Sequence, residues 1–311
     1  MTRAFIFPGQ ASQKVGMGQA LAEAFPVARE VFQEVDDTLK QHLSKLMFEG
    51  PEEDLILTEN AQPAIMAVSV AVFRVLEKEA GLNLADSVKF IAGHSLGEYS
   101  ALAVAGTFTL SEAASLLKIR GQAMQKAVPV GEGAMAALLG LDLEDAVAVA
   151  DEAGEVCTVA NDNAPGQVVV SGSKDAVERA VELAADRGAK RSILLPVSAP
   201  FHCSLMAPAS DKMAEALANI NMSPPVVPLV ANVTAVPVQS PEDIQALLVE
   251  QVTARVRWRE GILKMKEEGI DTLVEIGAGK VLSGMTKRID RDIKSSNVGT
   301  PEDVEAFVKT I

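Results

Sequence analysis

Short apolar runs alternate with longer helical stretches along most of the chain. Residues 4–7, 88–92 and 272–276 are short runs rich in β-branched, aromatic and other apolar side chains, which is typical of buried strands. Residues 61–80 are long and mostly apolar, and residues 110–127 place apolar side chains with the spacing of one helix face. Strands that alternate with helices and are apolar almost throughout predict a parallel α/β sheet.

Capping and turn residues predict where individual helices begin and end. Thr109 and Glu112 have the spacing of a capping box, so a helix is expected over residues 110–127. Asn60 is the expected N-cap of the helix over 61–80, and Gly81 follows its end. Further helices are expected over residues 18–45, 205–219, 243–252, 258–268 and 301–309, and a further buried strand over 226–230.

The segment between residues 129 and 196 has a periodicity of its own. Strands are predicted over 134–139, 155–161, 167–171 and 191–195, helices over 143–153 and 174–187, and a turn over 163–166. The order β-α-β-β-α-β is that of the ferredoxin-like unit. We therefore expect a small domain inserted into a larger one.

A glycine-flanked serine follows the apolar run at residues 88–92. The pattern Gly93-His94-Ser95-Leu96-Gly97 between a strand and a helix is that of a nucleophile elbow, a sharp turn that presents the serine hydroxyl above the sheet. The backbone N–H of Leu96, at the start of the helix, is a candidate oxyanion donor. A second candidate is the backbone N–H of Gln10, in the loop that ends the first strand. The alternative is a glycine-rich structural turn.

The elbow and the strand pattern together predict the fold class. We expect an α/β protein with an α/β-hydrolase-like parallel-sheet core and an inserted ferredoxin-like small domain. The core domain is predicted to comprise residues 1–128 and 197–311, and the small domain residues 129–196.

A serine nucleophile needs a base, and the chain has 3 histidines. His42 lies in a polar helical stretch and is expected on the surface, while His94 should point away from Ser95 because neighbours on a tight turn diverge. His202 is therefore the candidate base, and the alternative is a core histidine bonded to main chain. No acid between Ser95 and His202 stands at the end of a core strand, so a backbone carbonyl or a glutamine is a candidate partner for the imidazole.

Arg120 lies on the apolar face of the helix over 110–127, four residues from both Leu116 and Met124. A guanidinium in that position must be paired, because burying an unpaired charge is costly. Two interpretations stay open at this point. One is a structural ion pair or a side chain that reaches solvent. The other is an arginine held ready to bind a carboxylate ligand through two hydrogen bonds.

Composition and charge exclude some classes of protein. The formal net charge of −14 argues against a nucleic-acid partner, and no apolar run is long enough to span a membrane. The 2 cysteines give neither a disulfide framework nor a metal-binding spacing, and with 3 histidines we expect no metal site. Reduced thiols and an N-terminus without a signal-peptide pattern favour a cytoplasmic location.

Several motifs, in the same order along the chain, resemble those of the malonyl-CoA:acyl carrier protein transacylases. The motifs are Phe7-Pro8-Gly9-Gln10, Gly93-His94-Ser95-Leu96-Gly97-Glu98-Tyr99, Arg120-Gly121-Gln122-Ala123-Met124, Asn163-Ala164-Pro165-Gly166-Gln167, Pro200-Phe201-His202 and Gly279-Lys280-Val281-Leu282. The resemblance covers nearly the whole chain. One departure is Ala11, where these proteins often have glycine, and it bears on the geometry expected for the Gln10 loop.

The resemblance implies a role for each candidate residue. Ser95 would be the acylated nucleophile, His202 the base and Arg120 the group that binds the malonyl carboxylate. The remaining implied roles are an oxyanion hole formed by the N–H groups of Gln10 and Leu96, a backbone carbonyl of Gln251 that orients His202, and acyl specificity set by Phe201 and Met124.

The implied reaction is a ping-pong transfer of malonyl from malonyl-CoA to the phosphopantetheine thiol of an acyl carrier protein. No cofactor is expected, and the enzyme is expected to be a monomer. A free-standing chain of 311 residues favours fatty acid synthesis over polyketide synthesis. The alternatives are a serine esterase or thioesterase and a non-catalytic binding module. Lys190-Arg191 and Lys287-Arg288 are candidate contacts for the CoA phosphates or the carrier, or else ordinary solvated surface.

Overall fold

The computed structural model describes residues 2–154, 156–197 and 199–310. The strands are β1 (Arg3–Phe7), β2 (Phe90–Gly93), β3 (Gly133–Leu139), β4 (Cys157–Ala164), β5 (Gln167–Ser173), β6 (Arg191–Leu194), β7 (Leu229–Val230), β8 (Pro237–Val238), β9 (Thr272–Ile276) and β10 (Lys294–Val298). The helices are α1 (Gln19–Ala24), α2 (Pro26–Leu39), α3 (Leu43–Glu49), α4 (Glu52–Leu55), α5 (Thr58–Ala80), α6 (Leu84–Ser87), α7 (Gly97–Val104), α8 (Leu110–Ala127), α9 (Leu143–Glu152), α10 (Lys174–Asp186), α11 (Ala207–Leu217), α12 (Pro241–Gln251), α13 (Trp258–Glu267), α14 (Val281–Ile289) and α15 (Pro301–Val308).

The larger part of the chain is organised around a six-stranded sheet in the order β10-β9-β1-β2-β7-β8. The pairs from β10 to β7 are parallel, and β8 runs antiparallel to β7 at the edge. In β1, Phe5 and Phe7 belong to one hydrophobic core, while Ala4 and Ile6 belong to another. Burial on both faces explains why this strand is apolar at successive positions instead of alternating. The predicted parallel sheet is confirmed.

A separate four-stranded antiparallel sheet has the order β4-β5-β3-β6. Its helices α9 and α10 pack with it around a third core, which includes Leu138, Val170 and Ala180. The element order from β3 to β6 is the predicted β-α-β-β-α-β. The predicted fold class is therefore confirmed, whereas the division of the chain after residues 128 and 196 stays a prediction.

The end of β4 joins the small sheet to the larger part of the chain. Asn161 forms a bridge with Val256, and the N–H of Asp162 donates to the Val256 carbonyl at 3.0 Å. The Asp162 carboxylate, which is buried, accepts hydrogen bonds from Arg259 on α13. The following residue, Asn163, contacts His94 in the elbow. The small sheet is thus fixed against the turn that carries Ser95.

The helix boundaries follow local signals where those signals are strong. α8 begins and ends at the predicted residues, and Thr109 and Glu112 form the expected capping box. The N-cap prediction for Asn60 is wrong, because α5 begins at Thr58 and Asn60 lies inside its first turn. The single helix predicted over 18–45 is also wrong, because Pro26 starts a new helix and Lys40 ends it with a left-handed backbone. Among the described residues, no helix is long and apolar enough to cross a membrane.

The strands differ from the predictions where pairing is short or the sequence is polar. The strand expected over 226–230 is confined to Leu229–Val230, and the sequence pattern predicts neither β8 nor the polar strand β10. β4 continues to Ala164, so the turn expected over 163–166 is confined to residues 165–166. Glu155, where the sequence places the start of a strand, lies outside the described residues.

Candidate active site

Ser95 occupies a sharp turn between β2 and α7. Its backbone is in the left-handed region, at φ 53°, which is strained for a residue other than glycine. The flanking glycines are required by close backbone contacts. A Cβ on Gly93 would lie 1.9 Å from the Gly97 carbonyl carbon, and a Cβ on Gly97 would lie 2.3 Å from the Phe7 carbonyl oxygen. The structure therefore has the nucleophile-elbow geometry that the sequence pattern predicts.

The hydroxyl of Ser95 faces His202. Ser95 Oγ and His202 Nε2 are 2.8 Å apart, and His202 Nδ1 lies 2.8 Å from the backbone carbonyl oxygen of Gln251. Since a carbonyl can only accept, Nδ1 carries the proton and Nε2 is free to accept the hydrogen of the serine hydroxyl. Burial, and then the positive charge of Arg120, lower the pKa of His202 to about 3, so the imidazole is neutral near pH 7.

The other two histidines lie away from the serine hydroxyl. His94 Nε2 is 2.8 Å from the Asn163 side-chain oxygen, and its ring packs against Trp258 with centroids 5.5 Å apart. Burial lowers the pKa of His94. His42 is exposed and precedes α3. Both placements agree with the sequence-based expectations.

Arg120 is 1% exposed and lies beside Ser95. Its Nη1 donates to the Gln62 side-chain oxygen at 2.9 Å, while Nη2 donates to Ser95 Oγ at 3.2 Å and to the Gln251 side-chain oxygen at 2.8 Å. Nε has no partner, and none of the ion pairs among the described residues involves this guanidinium. The side chain therefore neither reaches solvent nor pairs with an acid within hydrogen-bond distance. A cation held by neutral groups next to the serine suits an anionic ligand.

The backbone amides of Gln10 and Leu96 lie in adjacent segments. The Gln10 loop follows β1, which is joined to the elbow by a hydrogen bond from His94 N–H to the Phe7 carbonyl at 3.0 Å. Close packing requires Gly9 in this loop, since a Cβ there would lie 2.6 Å from the His94 carbonyl oxygen. In the part of the chain that the structure describes, neither amide donates a backbone hydrogen bond outside regular helices and strands. Both remain available to a ligand oxygen.

Phe201 and Met124 both belong to the main hydrophobic core. Phe201 precedes His202 and is 8% exposed. Met124 follows Arg120 by one helical turn on α8, and its sulfur accepts a hydrogen bond from the Gln62 side-chain nitrogen at 3.6 Å. The structure thus places both residues next to catalytic candidates, and their role in specificity stays a prediction.

Two further residues at this site carry no local sequence signal for such a position. Asn232, just after β7, accepts from the Ser95 N–H at 2.8 Å and donates to the Gly93 carbonyl at 2.7 Å. Glu98, on α7, accepts from the Asn232 N–H at 2.5 Å and from the Gln251 side-chain nitrogen at 2.5 Å. Burial raises the pKa of Glu98 to about 8.

Comparison with known proteins identifies the family. The family described as acyl transferase domain matches residues 4–304. The chain therefore belongs to the acyl transferase domain family, and it is an acyltransferase. A relative from Bacillus subtilis, named malonyl CoA-acyl carrier protein transacylase, is 47% identical over 311 residues that cover 99% of this chain and 96% of the relative.

Solved structures give the same result. An acyl-carrier-protein-S-malonyltransferase from Bartonella henselae is 56% identical, with a TM-score of 0.98 and coverage of 100% of this chain and 99% of the other. A type II polyketide synthase acyl carrier protein has been solved in complex with its malonyl-transacylase, whose chain is 42% identical with a TM-score of 0.96 and coverage of 100% of both. Within the described residues, no group of three or more His, Cys, Asp and Glu side chains is arranged to hold a metal ion.

Proposed function

We propose that this acyltransferase moves a malonyl group from malonyl-CoA to the phosphopantetheine thiol of an acyl carrier protein, through a malonyl ester of Ser95. The observation that carries the proposal is Arg120, a buried guanidinium 3.2 Å from the serine hydroxyl and held by neutral partners. A carboxylated acyl group would give this cation the counter-charge that its direct hydrogen-bond partners lack. The names of the similar proteins from Bacillus subtilis and Bartonella henselae support the same choice of acyl group.

In the first half-reaction, Ser95 Oγ attacks the thioester carbonyl carbon while His202 Nε2 takes the hydroxyl proton. The resulting oxyanion lies between the N–H groups of Gln10 and Leu96, which stabilise it. The C–S bond then breaks, and His202 returns its proton to the CoA sulfur. The products are free CoA thiol and malonyl-Ser95. The Gln251 carbonyl accepts from Nδ1–H throughout, so only Nε2 gains and loses a proton.

The second half-reaction follows the same route in reverse. His202 takes the proton of the phosphopantetheine thiol, and the sulfur attacks the ester carbonyl carbon of malonyl-Ser95. A new C–S bond forms, the C–O bond to Ser95 breaks, and His202 protonates Ser95 Oγ. Arg120 holds the malonyl carboxylate in both steps, and Phe201 and Met124 shape the acyl site around it. No resident cofactor takes part in this scheme.

The carrier protein is assigned here to fatty acid synthesis. One observation favours a second candidate, a carrier of a type II polyketide synthase, because a malonyl-transacylase solved with such a carrier is 42% identical to this chain. Transfer assays with both kinds of carrier protein separate the two candidates by their kcat/KM values. A cytoplasmic location and a monomeric state are parts of the same proposal.

The test of the proposed function is the detection and transfer of an acyl-enzyme. The protein is incubated with malonyl-CoA, and intact mass and peptide mapping are expected to show malonyl on Ser95. Addition of holo acyl carrier protein is then expected to discharge it, with malonyl recovered on the carrier. Ser95→Ala is the matched control and should acquire no label.

Two other results would identify the alternatives. An adduct that is released as free malonate at the same rate with and without carrier would indicate an esterase or thioesterase. A wild-type protein that binds malonyl-CoA without ever forming an adduct would indicate a binding module.

A further inference from the structure

Glu98 is a buried carboxylate beside the reacting groups for which the proposed reaction has no use. It is 1% exposed, and both of its oxygens accept hydrogen bonds from other parts of the chain. Oε1 accepts from the backbone N–H of Asn232, and Oε2 accepts from Nε2 of Gln251, each at 2.5 Å. Withdrawing a carboxylate from water is costly, so a side chain in this position needs a compensating role.

The two partners of Glu98 are the residues that orient the nucleophile and the base. Asn232 accepts from the Ser95 N–H at 2.8 Å through its side chain. Gln251 accepts from His202 Nδ1 through its backbone carbonyl, and its side chain contacts both Arg120 and the Ser95 carbonyl. The two oxygens of Glu98 therefore connect the segment after β7 and the end of α12 underneath the elbow.

We infer that Glu98 is a positioning residue. It fixes Gln251 and Asn232, so that His202 and Ser95 stay within hydrogen-bond distance of each other. The inference rests on the proposed function only in that His202 activates Ser95. Glu98 acts through these two residues and does not itself contact the acyl group.

A carboxylate suits this position better than an amide. Both partners present N–H groups, and the two oxygens of a carboxyl group can accept from both at once, in the protonated as in the ionised form. A glutamine has one oxygen and one NH₂ group, so one of its ends would face another donor. A buried N–H left without an acceptor costs about 1–3 kcal/mol, so a rate that depends on the fixed geometry is expected to change on the order of tenfold to a hundredfold.

The experiment compares Glu98→Gln with Glu275→Gln. Glu275 is the matched control, since it is also buried and accepts from two backbone N–H groups, those of Leu282 and Ser283, but caps α14. The readout is the second-order rate of Ser95 labelling by a neutral aryl sulfonyl fluoride, which needs an activated serine and makes no use of Arg120. Thermal melting is recorded for both variants.

Glu98→Gln is expected to label about tenfold to a hundredfold more slowly than wild type at a temperature where it is folded, and Glu275→Gln within about twofold of wild type. Labelling of Glu98→Gln at the rate of Glu275→Gln would overturn the inference, whatever the melting temperatures. If Glu98→Gln does not fold, Glu98→Asp takes its place. It keeps the carboxyl group but is one methylene shorter, so it is expected to label slowly as well, and wild-type labelling would overturn the inference.

A double-mutant cycle with Gln251→Leu locates the effect. Because Glu98 acts partly through the Gln251 side chain, the loss in the double variant should be smaller than the product of the two single losses, whereas fully multiplied losses would contradict the inference. Failure of the proposed function is a separate result: wild type would then label with the sulfonyl fluoride but transfer no malonyl.

Discussion

In the proposed function, Arg120 is the residue that makes a general serine acyl site selective for a carboxylated substrate. Its guanidinium is held by the side-chain oxygens of Gln62 and Gln251, and its Nη2 also donates to Ser95 Oγ. Neutral partners hold the side chain in place without cancelling its charge. A purely structural arginine would be expected to pair with an acid at this degree of burial.

Arg120→Ala is therefore expected to lower kcat/KM for malonyl-CoA by about tenfold to a hundredfold or more, since a charge-assisted interaction is worth about 1.5–3 kcal/mol. Activity with acetyl-CoA, which has no carboxylate, should rise relative to that with malonyl-CoA. Steady-state kinetics with both substrates check this. Equal losses for the two substrates would show that Arg120 is structural.

The low pKa of His202 predicts an unusual pH dependence. The ring is affected by burial, by Arg120 on α8 and by His94 in the elbow, and its pKa is lowered to about 3. Sulfonyl fluoride labelling of Ser95 should change little between about pH 7 and pH 5, where a histidine with the ordinary pKa of 6.5 would lose about 25-fold. A loss centred near pH 6.5 would contradict the prediction.

The same shift has a consequence for stability. The folded state binds fewer protons at His202 than the unfolded state, so stability due to this group is complete above about pH 6.5 and is lost as the pH falls toward 3. Thermal melts over that range report it.

The sequence predicts the reacting residues of the site better than the residues that hold them in position. Ser95, His202 and Arg120 each have a local anomaly: a glycine-flanked turn, a histidine left over after two others are assigned, and a charge on an apolar helix face. Asn232 and Glu98 have no such mark, because only the folded chain brings α7, the segment after β7 and the end of α12 together.

The loop after β1 contains a residue other than glycine in a conformation that favours glycine. Ala11 has φ 82°, a left-handed backbone, and the family resemblance described in the sequence analysis implies glycine at this position. Its N–H donates to the side-chain oxygen of Gln13 at 2.8 Å, which helps to hold the turn. The strained residue directly follows Gln10, whose N–H is the candidate oxyanion donor.

Ala11→Gly is expected to raise the free energy of unfolding by about 1 kcal/mol, because a left-handed alanine is strained by about 1–2 kcal/mol and the flexibility of glycine offsets part of the gain. The control is Ala214→Gly, at an exposed position within α11, which should lower the free energy by up to about 1 kcal/mol. Urea denaturation measures both. Destabilisation at both positions would contradict the prediction.

Elements differ in how far the sequence predicts them. α8 is predicted to the residue, because its capping box is a local hydrogen-bond pattern between Thr109 and Glu112. β10, with the sequence Lys-Ser-Ser-Asn-Val, has no apolar pattern and becomes a strand by pairing with β9 at the sheet edge. β7 and β8 pair over two residues each, which is too short for a periodicity to show.

At the scale of the molecule, the fold brings two basic pairs into one region. Arg288 on α14 donates to the Gln167 side-chain oxygen at 2.8 Å. Gln167 pairs with Leu139, and Leu139 pairs in turn with Arg191 on the next strand. Lys190-Arg191 and Lys287-Arg288 are thus neighbours across the small sheet, in a chain with a net charge of −14.

The variant Arg191→Glu/Arg288→Glu is therefore expected to slow a reaction with an anionic substrate, with a loss that diminishes as salt is added. Arg74→Glu, an exposed arginine on α5, is the control. The two half-reactions are measured separately. Slower acylation by malonyl-CoA would assign the region to CoA phosphates, slower discharge would assign it to the carrier, and unchanged rates and salt dependence in both would exclude it.

The uncharged partner of His202 also bears on how long the acyl-enzyme lasts. A carboxylate at Nδ1 would stabilise the imidazolium and strengthen the base, whereas the Gln251 carbonyl leaves the base weak. A thiol with a pKa of about 8.5 loses its proton to a base far more readily than water does, since the pKa of water is about 15.7. In the proposed reaction a weak base thus favours the thiol over the much more abundant water. The neutral hydrogen-bond acceptor at Nδ1 would therefore lengthen the lifetime of the malonyl ester between the two half-reactions.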